Sequence, residues 1–316
     1  MAGLTLRRLA AGLVTLLAVS VIVFFATSVL PGNAAYAILG RSATPASVHT
    51  LEHTLHLNQG VLASYWSWLN SFVSGNPGHS LVNGQPVASF VSQRFVNSAV
   101  LVLLAGFIGT GIGVALGVFA AVRRDGFFDH ASAIAALAIT ALPEFVVAVL
   151  LTFLLATNLS HLLPGISVLP PGTKPWDQPR LLVLPVLTLV IVVVPYLFRM
   201  TRAGMIEALE SDYVMMARLK GLSQRRVIFL HALPNVLAPS IQVIGLIFLY
   251  LAGGIVVVET VFNYPGVGQG LVSAVSDRDV PVIQFLVIAL AAFYVLVNIS
   301  TDLLVLAVTP RRRLPR

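Results

Sequence analysis

Long runs of apolar residues, separated by short polar stretches, dominate the chain. Six runs, each of about 18 or more residues, cover 9–30, 97–122, 131–155, 181–198, 236–258 and 282–308. A helix of about 20 residues crosses a hydrocarbon core of about 30 Å, and a helix pairs its own backbone polar groups there. The pattern therefore predicts an all-α integral membrane protein with six transmembrane helices, in one domain over residues 1–316.

The first apolar run was compared with a secretory signal peptide. Arg7 and Arg8 precede it, and the triplet at 35–37 has the small-residue pattern of a cleavage site. A cleaved signal has an apolar region of about 7–15 residues, whereas this run covers all 22 positions from 9 to 30. We predict that the run is retained as a membrane span.

Composition supports a membrane environment. The chain is 57% hydrophobic and 10% charged, against about 25% charged residues in soluble domains. The net charge is +7, but the basic residues lie beside apolar runs and form no continuous basic face, so we expect no nucleic-acid partner. The absence of cysteine excludes disulfides, thiolate metal sites and thiol nucleophiles.

The distribution of Lys and Arg predicts the orientation, because the cytoplasmic side of a membrane protein accumulates them. Fourteen of the 19 fall on the side that holds both termini. Both termini are therefore predicted to be cytoplasmic, with outer loops at 31–96, 158–179 and 259–281. In the first loop, 49–57 and 61–73 have helical spacing, and Trp66 and Trp68 are either interfacial anchors or part of a binding surface.

The inner loop 200–235 is too polar to span a membrane but has a regular apolar pattern. Apolar residues recur at three- and four-residue intervals from 206 to 217, which predicts one amphipathic helix. Gly221 is predicted to end it, since glycine accepts a left-handed backbone, and Ser223 to cap a second helix over 224–232. A basic amphipathic helix that simply lies on lipid is the alternative.

Short motifs in this loop resemble the coupling loop of ABC importer permeases, and most closely that of the dipeptide and oligopeptide branch, B-type. The matching residues are Asp212, Tyr213, Val214, Ala217, Arg218, Leu219, Lys220, Gly221, Leu222, Ser223, Arg225, Arg226, Val227 and 231–235. The resemblance implies a type I importer permease whose loop fits a short helix into a groove of an ATP-binding subunit.

The stretch 254–284 resembles the last outer loop of the same family, through Glu259, Phe262, Asn263, Pro265, Gly266, Gly268 and further matching positions. Residues 30–33 and the closing pattern of Asn298, Asp302 and 310–311 also agree with the family. The Pro-Gly cluster predicts a tight re-entrant turn. This turn either lines and gates the outer mouth of a pathway or is purely structural, with Glu259 capping or orienting it.

Two carboxylates, Glu144 and Asp302, fall inside predicted spans, where an ionised group is costly and suggests function. They could relay protons in a secondary transporter. Alternatively, Asp302 bonds a neighbouring helix together with Asn298, and Glu144 faces water in a cavity.

Catalytic and nucleotide-binding motifs are absent. Neither lysine of the chain, Lys174 or Lys220, lies in a phosphate-binding G-x-x-x-x-G-K-[ST] loop, and the seven histidines show no metal-site spacing. We therefore predict no catalytic residue, no metal and no cofactor on this chain.

The resemblance implies ATP and Mg on two partner ATP-binding subunits, a second homologous permease, an extracytoplasmic peptide-binding protein and a bacterial inner membrane. Nickel or glutathione are alternative cargoes. An ion-coupled secondary transporter and a non-transporting scaffold are alternative classes.

Overall fold

The computed structural model describes residues 2–29, 44–46, 60–158, 162–170 and 172–308. The α-helices of this part are α1 (Ala2–Val29), α2 (Val61–Val73), α3 (Val87–Val122), α4 (Phe127–Thr140), α5 (Glu144–Thr152), α6 (Pro179–Glu210), α7 (Asp212–Leu219), the single turn α8 (Gln224–Arg226), α9 (Leu233–Val261), α10 (Val267–Ser276) and α11 (Val280–Val308). Single π-helical turns follow α5 at Phe153–Asn158 and α8 at Val227–Ala232. The predicted helix over 49–57 and the motifs at 30–33 and 310–311 lie outside the described residues.

Among the residues that the structure describes, five helices are long and apolar enough to cross a membrane, namely α1, α3, α6, α9 and α11. The predicted continuous span at 131–155 is wrong as one straight helix, because α4 and the stretch from α5 to Thr157 meet at an angle of 104°. Pro143 causes the break, since it lacks an N–H and its ψ of 147° is extended. Counted as one bent span, this pair makes the sixth crossing.

Two helices extend well beyond the predicted apolar runs. Helix α3 begins ten residues before 97, and α6 continues to Glu210 instead of ending near 198. Buried side chains in the extensions, Val87 and Val91 in α3 and Met205 in α6, explain the difference. Helical hydrogen bonding continues wherever one face still packs against protein, and it does not stop where the uniformly apolar composition ends.

Helix α6 is the central helix of the bundle. Of its most apolar stretch, 67% is buried inside the protein, against 22% for α1. It packs most extensively on α3, and a methyl group on Gly113 of α3 would lie 2.5 Å from the Cβ of Leu197. The two backbones are therefore close because glycine leaves room, as is common where membrane helices associate.

Buried apolar side chains form three main clusters that succeed one another along the bundle. The first joins α1, the start of α3, α10 and α11, and includes Val91, Val267 and Leu286. The second, in the middle, joins α3, α6 and α9, and the third joins the end of α6 to α7 and the π-helical turn after α8. Many large apolar residues on the outer surface stay exposed, for example Phe107 and Leu137, as expected where lipid is the solvent.

Candidate functional site

Residues 211–232, which lie within the predicted inner loop 200–235, are here called the coupling segment. It follows α6 directly, but the predicted single helix over 206–217 is wrong, because the chain breaks at Ser211. Ser211 has extended backbone (ψ 152°), and its hydroxyl donates to the Ala208 carbonyl at 2.5 Å. Serine competes in this way with helical backbone bonding, so α7 starts as a new helix in a new direction.

The end of α7 follows the prediction. Gly221 has φ +77°, and its N–H donates to the Arg218 carbonyl at 2.9 Å. The next N–H, that of Leu222, reaches back to the Ala217 carbonyl at 3.3 Å. These two bonds form a Schellman motif, which glycine completes at little conformational cost.

The second predicted helix, 224–232, begins as expected and ends differently. Ser223 occupies the position before the first helical turn, but its side chain makes no capping hydrogen bond in the described part of the chain, so that detail was wrong. The helix does not stop at 232: a π-helical turn over 227–232 leads without a break into α9. Pro234 lies at this junction, and a π-turn accommodates a position where a regular helical hydrogen bond is missing.

One face of the coupling segment packs against the bundle. Val214, Ala217, Val227 and Ala232 are buried together with Met205 of α6. The small side chain of Ala217 therefore serves packing within this chain.

The opposite side of α7 is exposed and mainly apolar. We call Tyr213, Met215, Met216 and Leu219 the docking face; Leu219 is 76% exposed. Charged and polar residues surround it, and these are also exposed: Asp212, Arg218, Lys220, Ser223, Arg225 and Arg226. Residues of the predicted apolar pattern at 206–217 therefore differ in exposure, since Tyr213 and Met216 are exposed while Ala217 is buried.

At the other end of the bundle, the turn between α9 and α10 is built around Glu259. This carboxylate is fully buried and accepts hydrogen bonds from the N–H groups of Gly268 (2.7 Å) and Gln269 (3.1 Å). Ser98 of α3 donates to it at 2.5 Å and accepts from the Val267 N–H at 2.8 Å. The first three N–H groups of α10 are therefore paired, and the Glu259 carboxyl group that accepts two of them lies at the positive end of that helix.

Helix α3 clamps the same turn from the side. Arg94 donates to the Gly266 carbonyl at 3.1 Å and to the Gln269 side chain at 2.6 Å, and the Asn97 amide donates to the Pro265 carbonyl at 2.8 Å. The Tyr264 hydroxyl donates to the Asn97 carbonyl at 3.0 Å. Burial, and to a lesser extent Glu259, raises the pKa of Tyr264, so the hydroxyl remains a donor.

The remaining residues of the predicted gate have distinct places in this turn. Phe262 is fully buried, while Asn263 is exposed and has φ +50°. A methyl group on Gly266 would lie 2.0 Å from a Glu259 oxygen, and one on Gly268 would lie 2.4 Å from the Val256 backbone. The geometry shows that Glu259 caps the helix; a role of this turn in gating stays a prediction.

Two of the three polar residues predicted inside spans, Asn298 and Asp302, line one cavity with Arg8 of α1, and the third, Glu144, lies elsewhere. Asp302 pairs with Arg8 of α1 at 3.0 Å, and the Asn298 amide donates to the Tyr294 carbonyl of its own helix at 3.0 Å. The prediction that Asp302 bonds a neighbouring helix is confirmed by this ion pair, whereas the Asn298 amide bonds within its own helix. Glu144 is half-buried and lies against α9, far along the chain from both.

Two buried carboxylates were not among the predicted site residues. Asp129 of α4 bonds the guanidinium of Arg202 through two atoms, one of them at 2.6 Å, and accepts from the Asp125 N–H at 3.1 Å. Asp279 accepts from the Ser80 hydroxyl and, at 3.1 Å, from the Leu81 N–H. Each carboxylate joins segments distant in sequence, so local spacing carried no signal for either contact. In the described ranges, no group of three or more His, Asp or Glu side chains could hold a metal ion.

Comparison with known proteins places this architecture in a family. Residues 113–314 match the binding-protein-dependent transport system inner membrane component, and residues 1–106 match the N-terminal part described for such membrane components. A probable peptide ABC transporter permease of Sinorhizobium fredii is 35% identical over 309 residues, covering 98% of both chains.

Further relatives and a solved structure agree. A putative peptide transport system permease of Brucella abortus and the glutathione transport system permease of Escherichia coli K12 are each 34% identical over 313 residues, covering 99% of both chains. The fold resembles that of a chain in the inward-facing MetNI methionine ABC transporter, with a TM-score of 0.57, 18% identity, and coverage of 71% of this chain and 98% of that one. The chain therefore belongs to the family of binding-protein-dependent transport system inner membrane components, the permeases of ABC importers.

Proposed function

We propose that this chain forms half of the translocation path of a peptide importer in a bacterial inner membrane, together with a second homologous permease. Two of the relatives above are peptide permeases by name, and a third transports glutathione, itself a small peptide. Both termini and the coupling segment face the cytoplasm in this proposal. An extracytoplasmic binding protein delivers the peptide to the opposite side.

The observation that carries the coupling role is the docking face. Four large apolar side chains on a short, rigidly ended helix are exposed beyond the membrane-spanning part of α6. Exposed apolar patches of this kind mark interaction surfaces. An ATP-binding subunit covers the face in our proposal, so ATP and Mg are held by partner subunits and hydrolysis occurs there.

In this proposal the coupling segment transmits movement from the ATP-binding subunit to the helix bundle. It packs on the end of α6 through Val214 and Ala217 and leads directly into α9, so a displacement of α7 reaches two central helices. Two conformations of the bundle are then populated according to which one the closed ATP-binding subunits bind better.

The test is import by the complete complex reconstituted in vesicles. Labelled dipeptide, supplied with its binding protein, should accumulate in the presence of ATP and should not accumulate with a non-hydrolysable analogue. Ionophores that collapse ion gradients should leave uptake unchanged. ATP-independent uptake that ionophores abolish would establish the ion-coupled alternative, and ATP-dependent uptake of glutathione in preference to dipeptides would reassign the substrate.

A further inference from the structure

A strip of polar side chains crosses the middle of the bundle, on helices α5, α6 and α9. We call Glu144, Tyr250, Tyr196 and Arg199 the polar strip. The Glu144 carboxylate lies against the α9 backbone, since a methyl group on Gly254 would come within 2.5 Å of one of its oxygens. The Tyr250 hydroxyl interacts with this carboxylate.

The other two members continue the strip toward the coupling segment. The rings of Tyr250 and Tyr196 have their centroids 5.9 Å apart, and the Arg199 guanidinium lies 5.5 Å from the Tyr196 centroid. Arg199 follows Tyr196 by one helical turn, nearer the coupling-segment end of α6. An acidic group and a basic group are thus joined by two tyrosines.

The acidic end lies deep in the membrane-spanning region. Tyr250 is near the middle of the 22-residue span Ser240–Val261, and Gly254 is one turn farther from the coupling segment. Glu144 contacts both positions, at the break between α4 and α5. A carboxylate at this depth is costly when it faces lipid, so such groups face a water-filled path or another protein chain.

Within the described part of the chain, Glu144 forms no ion pair. Among the residues that the structure describes, the ion pairs of acidic residues involve Asp125, Asp129, Glu210 and Asp302, and none includes Glu144. Glu144 is the first residue of α5, so its carboxylate lies at the end of that helix. The strip therefore presents a half-exposed anion together with tyrosines that are about 40% exposed.

We propose that the polar strip is a substrate-contact site inside the translocation path, where Glu144 receives the free ammonium group of a peptide and Arg199 its carboxylate. An ammonium group offers three donors to a carboxylate and is attracted to aromatic faces, which Tyr250 and Tyr196 supply. The guanidinium of Arg199 matches a carboxylate with two parallel hydrogen bonds. This inference rests on the proposed function and narrows it, because one acidic and one basic group complement the two charged ends of a free peptide and not a bare metal cation.

The experiment measures peptide imported per ATP hydrolysed, in vesicles containing the complete importer and saturating peptide-loaded binding protein. We expect Glu144→Gln to lower this ratio by about tenfold, the equivalent of one charge-assisted hydrogen bond. ATPase stimulation by the loaded binding protein should remain, since the variant does not touch the coupling segment. Asp277→Asn, an exposed carboxylate at the end of α10, is the matched control and should import normally.

The absence of cysteine from the chain permits a second, independent variant. Glu144→Cys should be defective, and modification with a sulfonate-bearing thiol reagent should restore import, whereas a neutral reagent of similar size should not. Treating the importer without the Glu144→Cys substitution with the same reagents measures any effect of the reagents on the partner subunits. Restoration by both reagents would indicate a packing role and overturn the proposal.

Substrate variants complete the test. A peptide acetylated at its amino terminus is supplied at a concentration above its separately measured Kd for the binding protein. The original chain and Glu144→Gln should import this peptide equally. Normal import of the free peptide by Glu144→Gln, or loss of the second permease when that variant is purified, would overturn the proposal. Failure of the unaltered importer to require ATP would instead refute the proposed function.

Discussion

The two ends of this bundle differ in which groups they leave exposed: one end pairs its polar groups internally, and the other leaves apolar side chains on the surface. In the turn between α9 and α10, Glu259 and Ser98 pair all three N–H groups of the first helical turn, and Arg94 and Asn97 pair two carbonyls. In the coupling segment, the Schellman motif at Gly221 likewise pairs the backbone groups at the end of α7. Four large apolar side chains of that helix nevertheless remain exposed.

Because of this difference, one end of the bundle determines the folding stability of the subunit and the other its assembly with partner subunits. A buried polar group left unpaired costs about 1–3 kcal/mol, so a change in the Glu259 turn should act on the subunit alone. An exposed apolar side chain contributes little to its own chain but a large area to an interface. Substitutions in the Glu259 turn should therefore change the Tm of the subunit, whereas substitutions in the docking face should change co-purification of the partner subunits.

The largest effect on stability is expected for Glu259→Ala. It removes the acceptor of two buried N–H groups and the partner of Ser98, at a cost of about 3–5 kcal/mol. The purified subunit should show a lower Tm and a smaller folded fraction in detergent. Asp277→Asn, at the exposed far end of α10, is the control, and an unchanged Tm for Glu259→Ala would show that the capping contacts do not stabilise the turn.

A smaller loss is expected for Asp129→Asn, which keeps the volume of the side chain but removes the charge that binds Arg202. Because the guanidinium still reaches solvent, we expect about 1–2 kcal/mol, again measured as Tm. Glu210→Gln alters an exposed pair with Arg124 near the same end of α6 and should leave the Tm almost unchanged. Equal effects of the two variants would contradict the importance of burial.

Substitutions of Gly221 test whether the left-handed backbone conformation at the end of α7 is required. Its φ is +77° and a Cβ atom there would meet nothing within 4 Å, so a side chain is opposed by backbone strain alone. Gly221→Val should cost about 1–2 kcal/mol locally and reduce ATPase stimulation in the assembled importer, whereas Gly221→Asn, which tolerates the left-handed region, should retain most of it. Similar activity of the two variants would show that α7 need not end at this angle.

The sequence predicted features that depend on local pattern. Apolar runs predicted the long helices, and Gly221 predicted the end of α7, because membrane insertion and a left-handed turn each depend on neighbouring residues. The bend at Pro143 and the break at Ser211 were missed, although both residues were visible. A proline or serine can be carried inside a helix, and whether the chain turns there depends on what the next segment packs against.

Long-range contacts could not be predicted from spacing. Asp129 and Arg202 are 73 positions apart, and Ser98 and Glu259 are 161 positions apart, so their meeting follows from the packing of α3, α4, α6 and α9. The alternative that Glu259 caps its turn was stated from the sequence, since the Pro-Gly cluster follows it closely. The predicted apolar pattern at 206–217 is interrupted by the break at Ser211, and Tyr213 and Met216 beyond this break are exposed.

The smallest effect on stability, and the sharpest on assembly, is expected for Leu219→Ser. Leu219 is 76% exposed in the isolated subunit, so its loss should leave the Tm unchanged while removing apolar area from the docking face. Co-purification of the ATP-binding subunits should fall, and ATP-dependent import should fall with it. Leu62→Ser in α2, also strongly exposed but away from the coupling segment, should leave both intact. If Leu219→Ser instead lowered the Tm and spared assembly, the docking face would be a lipid-covered surface, because an apolar side chain resting on lipid stabilises its own helix and contributes nothing to a partner.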